Sequence, residues 1–173
     1  MFNENTHQLF FYHNGTGPPP SDLKLTSAKV QTLLNVNATQ AKPVVGLTIS
    51  GITFRDSAPT YMEPHGVPSG GDWALERRAG VFFEGTEGLV VDKCSFQRLD
   101  GNGLMLSGYN KRATISHSDF AWTGGSAIAA WGRTDELSDS GKRGWDATGG
   151  DFPYDTQIIS NVMCHIPLRN GCY

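Results

Sequence analysis

The 173-residue sequence predicts an all-β fold, a parallel β-solenoid, on three observations. A short phrase recurs at near-constant stride: Gly80-Val-Phe-Phe-Glu-Gly85, Gly103-Leu-Met-Leu-Ser-Gly108 and Ala127-Ile-Ala-Ala-Trp-Gly132 start 23 and then 24 residues apart. A second ladder interleaves with it over 46–54, 88–96, 112–120 and 156–164, aligning Ile49, Val91, Ile115 and Ile159, and likewise Phe54, Phe96, Phe120 and Cys164. No helical periodicity competes with these strand-length runs. Fixed strides with several strands per period mark stacked repeats that share one continuous core.

The second-ladder ends lie 42, 24 and 44 residues apart, which predicts about four coils of 22–25 residues, with inserted loops at 59–78 and 135–155. Within each coil the two segments of that ladder meet at a polar or glycine corner: Ser50-Gly51, Asp92-Lys93, Ser116-His117 and Ser160-Asn161. Small and turn-forming residues suit so sharp a bend. Strand, corner, strand, and then the glycine-closed strand make three β segments per turn, the geometry of a parallel β-helix.

Residues 1–45 precede the regular repeat as a strand-rich lead-in or cap, with Gln8–Tyr12 and Leu33–Val36 as its apolar segments and a Pro/Gly run between them. The regular coils occupy 46–173, and a four-coil stack with little capping reads as part of a longer protein. Cys94 falls in an inward column with Ile52 and Cys164 in the phenylalanine column, both as small core hydrophobes; no Cys/His spacing suggests zinc.

Composition narrows the partners. With 14 basic against 17 acidic residues and a net charge of −3, no phosphate-tracking surface is implied, and nucleic acid is not an expected partner. No apolar run approaches membrane-spanning length, so no membrane partner is expected, and the first residues lack the layout of a signal peptide. Two glycosylation sequons, at Asn14 and Asn37, fit an extracellular setting. The aspartates of the second insertion, 135, 139, 146 and 151, match no established calcium loop and read as a solvated acidic stretch. No metal or cofactor is implied.

The repeats from about Pro43 to Cys164 resemble the right-handed parallel β-helix, pectin-lyase-like superfamily, and within it carbohydrate-active proteins. The resemblance implies a substrate groove over the outer face of one sheet, walled by loops on both flanks. Alternation along the glycine-closed strands turns Val81, Leu104 and Ile128 inward and sets Glu84, Ser107 and Trp131 at the end of the outer row. Beside that row fall Asp100 and Asn102 before the second strand, and Tyr109, Asn110, Arg133 and Asp135 after the strands.

Aromatic faces with fixed carboxylates and amides around them suit an extended polysaccharide or other glycan. Glu84, Asp100 and Asp135 are therefore the candidate catalytic acids of a glycoside hydrolase, or less readily a lyase. His65, Asp72, Asn102, Ser107, Tyr109, Asn110, Trp131 and Arg133 are the candidate substrate-binding residues. A non-catalytic glycan-binding, structural or adhesive module, or an inactive fragment, is the alternative.

Overall fold

Left-handed corners pace the chain at five-residue intervals. They fall at Gly46, Gly51 and Asp56, at Gly88, Lys93 and Arg98, at Arg112, His117 and Trp122, and at Asp155 and Ser160, all with φ between 47° and 70°. Three-residue strands fit between successive corners, and stacking puts like corners on top of one another. The structure, a computed structural model, describes residues 2–3, 5–61, 63, 65, 76–133 and 149–164, and these contain no helix.

β1 (Phe2–Asn3) and β2 (Gln8–Leu9) form a small antiparallel pair. All other strands lie in three parallel sheets. The first sheet stacks β3 (Leu34–Asn37), β7 (Ala79–Glu87), β10 (Asn102–Lys111) and β13 (Ile128–Trp131), with β4 (Val44–Val45) against the end of β7 and β14 (Pro153–Tyr154) against the end of β10. The second sheet holds β5 (Thr48–Ser50), β8 (Val90–Asp92), β11 (Thr114–Ser116) and β15 (Gln157–Ile159). The third holds β6 (Thr53–Ser57), β9 (Ser95–Leu99), β12 (Asp119–Ala121) and β16 (Val162–Cys164). The chain visits the sheets in rotation, an arrangement compatible with a parallel β-helix.

The glycine-closed strands align as the stride predicts, with Val81 opposite Leu104 and Leu104 opposite Ile128. The lead-in also supplies a strand: Leu34 to Asn37 pairs with Val81 to Glu84 and so opens the first coil. The core is built from vertical columns. Ile49, Val91 and Ile115 are buried in register, and Phe54, Phe96 and Phe120 stack ring on ring at 5.3 and 4.3 Å between centroids. Offset or parallel stacking of buried rings adds to the stabilisation their apolar area already supplies.

In the fourth coil the predicted register is off by one. Ile158, not Ile159, lies opposite Ile115, and Met163, not Cys164, lies opposite Phe120. The cause is the corner: Asp155 takes the left-handed position that Arg112 takes one coil earlier, which moves every later residue by one. Cys164 is exposed, as are Ile158 and Met163, which take the column positions in this coil, whereas Cys94 is buried as expected. Buried backbone at the second corner is satisfied by a polar column: Ser118 Oγ accepts from the Cys94 amide at 3.0 Å, Asn161 Oδ1 from the Ser118 amide at 2.9 Å, and Asn161 Nδ2 donates to the Ile115 carbonyl at 2.8 Å.

Candidate functional site

The coils differ in length where the third sheet leads into the first (Ser57 to Ala79, Leu99 to Asn102, Ala121 to Ile128) and again at the C-terminal rim of the first sheet. Glu84 faces Asn37 and Ser107, and Thr86 faces Val44 and Asn110. Between those rungs the second coil has only Gly85, the third has Gly108 and Tyr109, the first has residues 38–43, and the fourth runs from Gly132 to Phe152 before Pro153 rejoins the sheet opposite Asn110. A strand that must accommodate one extra residue bulges, and here the bulge falls between Ser107 and Asn110.

These unequal connections enclose a pocket of about 510 Å³ lined by Ala38, Thr39, Gln40, Ala41, Glu84, Tyr109 and Asp151. Two glycines make it possible. A Cβ on Gly85 would sit 2.3 Å from the Ala38 carbonyl carbon, so the first-coil loop lies directly on that backbone. A Cβ on Gly108 would sit 2.9 Å from Asp151 Oδ1 and 3.1 Å from Glu84 Oε1. Two carboxylate oxygens therefore converge on one bare backbone position and lie no more than about 6 Å apart, a limit within which the separation of a retaining glycosidase pair falls.

Glu84 is firmly held. Arg133 Nη2 reaches both of its oxygens at 2.6 and 2.7 Å, Arg133 Nε donates to Oε1 at 3.0 Å, and Ser107 Oγ donates to Oε2 at 2.7 Å. Arg77 in turn donates to Ser107 Oγ at 2.9 Å and to the carbonyls of Trp131 and Gly132. Charge-assisted bonds of this length fix the carboxylate's orientation. On this outer face Met105 and Ser107 point away from the core yet are fully buried, and Trp131 is half-buried.

Tyr109 lines the pocket by an edge only, being 5% exposed. Its hydroxyl donates to Glu87 at 2.6 Å and its ring meets Tyr154 edge-on at 6.0 Å, so no face is left for a sugar to stack on. The hydrogen bond to Glu87, with a smaller contribution from Tyr154, pushes the phenol well above its usual range. Reciprocally, the bond from Tyr109 holds Glu87 below the ordinary carboxylate value, helped by Lys111 and Arg112.

Asn110 and Asn102 are buried and bonded to the protein on both sides of the amide. Asn110 accepts from Thr86 Oγ1 at 2.6 Å and donates to the carbonyls of Ser107 and Phe83, which stitches the bulge. Asn102 donates to the carbonyls of Glu76 and Arg78 and accepts from the Ser126 amide, which fixes the end of the first insertion. His65 Nε2 lies 3.4 Å from Glu76 on that same insertion. Asp100 stands at the other end of the strands, before Asn102; Asn102 to Ser107 alone spans about 16 Å, so Asp100 and Glu84 are not a pair. Asp72 and Asp135 lie outside the described residues.

Sequence reasoning missed Asp151 and Arg77 as site residues. The only signal for Asp151 was the Phe-Pro-Tyr that follows it, whose Pro153 and Tyr154 re-enter the sheet beside Asn110 and Lys111. Among the described residues, no group of three or more His, Cys, Asp or Glu side chains comes together in a way that would hold a metal ion. No family model, no curated protein and no solved structure matches the chain.

Proposed function

We propose that the chain is a right-handed, pectin-lyase-like β-helix module that binds an extended glycan at the rim of its first sheet and cleaves it by glycoside hydrolysis, in an extracellular setting. The right hand follows the general preference of connections between parallel strands of one sheet. The observation that carries the activity is the convergence of Glu84 and Asp151 on Gly108. In such a pair, Glu84, oriented by Arg133 and Ser107, suits the nucleophile, which leaves Asp151 as the residue that gives and takes the proton.

The test is hydrolysis of a polysaccharide panel by the recombinant chain, with product stereochemistry followed by NMR. Retention of anomeric configuration is expected, and Glu84→Gln or Asp151→Asn is expected to lower turnover by about 10³-fold or more while substrate binding stays within a few-fold. Unchanged turnover in both variants rejects the pair. One observation favours a second reading, a non-catalytic glycan binder: both Glu84 oxygens are already taken by Arg133 and Ser107. Glycan-array binding with no product from any polysaccharide would select it.

A further inference from the structure

A second cleft, of about 820 Å³, opens at the third corner of the coils, away from the rim pocket, and shares none of that pocket's residues. Its lining includes the corner residues of three successive coils, Asp56, Arg98 and Trp122, which stack one per coil at about 4.8 Å. The first two satisfy each other: Arg98 Nε and Nη2 donate to the two Asp56 oxygens at 2.6 and 3.0 Å, a fork-to-fork pair. The third member is an indole, 59% exposed, on a backbone with φ 58°.

A large aromatic is a poor choice for that position on folding grounds. Left-handed backbone disfavours bulky side chains, and the other described corners carry Gly, Asp, Arg, Lys, His or Ser. Trp122 incurs that cost and yet leaves most of its surface in water. Beside it, the Asp100 carboxylate lies against bare backbone: a Cβ on Gly124 would lie 2.8 Å from Asp100 Oδ1, and the Gly124 amide donates to the Leu99 carbonyl at 2.6 Å. Two guanidiniums, Arg55 and Arg98, balance two carboxylates, Asp56 and Asp100, so the lining carries no net formal charge.

We infer that this cleft is a non-catalytic subsite for a neutral pyranose unit, with Trp122 as the platform for the sugar's C–H face and Asp100 and the Asp56–Arg98 pair as hydrogen-bonding partners for its hydroxyls. Sugars combine an apolar face with a ring of hydroxyls, and an exposed indole beside fixed polar groups complements both. The absence of net charge selects a neutral sugar over a uronate. The inference rests on the glycan reading of the rim but not on cleavage there.

The test is affinity electrophoresis of the full chain in native gels containing a soluble neutral β-glucan or, in a second arm, polygalacturonate. Trp122→Gly is expected to weaken retention by the neutral glucan about tenfold, the scale of one lost aromatic stack. Its melting temperature should change little, because glycine adopts the left-handed corner without strain and this offsets its greater freedom when unfolded. Trp122→Tyr should keep most of the retention. Retention of Trp122→Gly equal to the parent overturns the subsite while leaving the rim reading intact; a parent retained in neither gel overturns the subsite, and the rim reading is then decided by the polysaccharide panel. Stronger retention by polygalacturonate than by glucan overturns the neutral assignment. Loss of retention in Trp122→Tyr together with a large drop in melting temperature shows the indole to be structural.

Discussion

The second and third sheets and the rim of the first sheet obey opposite rules. Around the former, corners recur every five residues and each side chain meets its counterpart one coil away, as in the Phe54, Phe96 and Phe120 stack. At the rim the four coils insert different lengths of chain between the same two rungs, and there the buried groups are Ser107, Tyr109 and Asn110, with Glu84 partly buried beside them, rather than hydrocarbon. A repeating interior tolerates only what stacks. Where the repeat is broken, polar groups from non-equivalent positions can meet, and the one pair of converging carboxylates described above is found there.

The largest effect should come from breaking the stack. Phe96→Asp puts an unpaired charge between two rings at 5.3 and 4.3 Å and should cost about 4 kcal/mol or more, a large share of what a domain of this size has. Urea unfolding with a midpoint equal to the parent's would show that the columns do not carry the fold.

A glycine pair separates rim from corner directly. Gly85→Ala, at φ 71° with first-coil backbone 2.3 Å from the new Cβ, should cost about 3 kcal/mol because main chain has to move. Gly51→Ala, at φ 70° with nothing within 4 Å, should cost only the left-handed penalty of about 1 kcal/mol. Equal destabilisation of the two in parallel thermal melts would mean that the loop over Gly85 contributes nothing.

Between these values falls Asn110→Ala. It removes the acceptor of Thr86 Oγ1 and the donor to the Ser107 and Phe83 carbonyls in a site with no water access, so about 2 kcal/mol should be lost. A loss below about 0.5 kcal/mol by denaturant titration would mean the bulge holds without its stitch.

The same contrast explains what the sequence discloses. Columns such as Ile49, Val91 and Ile115 are legible because identical spacing forces identical environment. The fourth coil is shifted by one because its corner, Asp155, falls one residue before the position that alignment with Arg112 assigns, and the five-residue interval from Asp155 to Ser160 carries that signal. Leu34–Asn37 went unrecognised as a coil strand because residues 38–43 follow it where the other strands close on glycine. At the rim, Glu84 was legible from its strand, but its partner Asp151 arrives at the end of a long insertion. Tyr109 and Asn110 were placed at the correct point of the chain with the wrong exposure, since the bulge that buries them is a consequence of coil-to-coil register.

The smallest expected effect is a pH dependence that belongs to the rim. Tyr109 and Glu87 bond at 2.6 Å, and the bond raises the phenol above its ordinary value of 10.0 and lowers the carboxyl below its ordinary 4.5. A carboxyl lowered in the folded state gives stability that is present above about 4.5 and is lost as pH falls through the folded value, because the unfolded chain then binds the proton first. A phenol raised in the folded state gives stability that is present below 10.0 and is lost as pH rises beyond it, because the unfolded chain then releases the proton first. Both losses pass largely through one hydrogen bond, so Tyr109→Phe should abolish the alkaline loss and reduce the acid one, which Lys111 and Arg112 also sustain. Melting temperatures from pH 3 to pH 11 should show the variant modestly below the parent between pH 5 and pH 9, with the gap narrowing toward each extreme. Parallel curves across the whole range would mean that the phenol contributes packing alone and that the polar character of the rim has no energetic consequence at this pair.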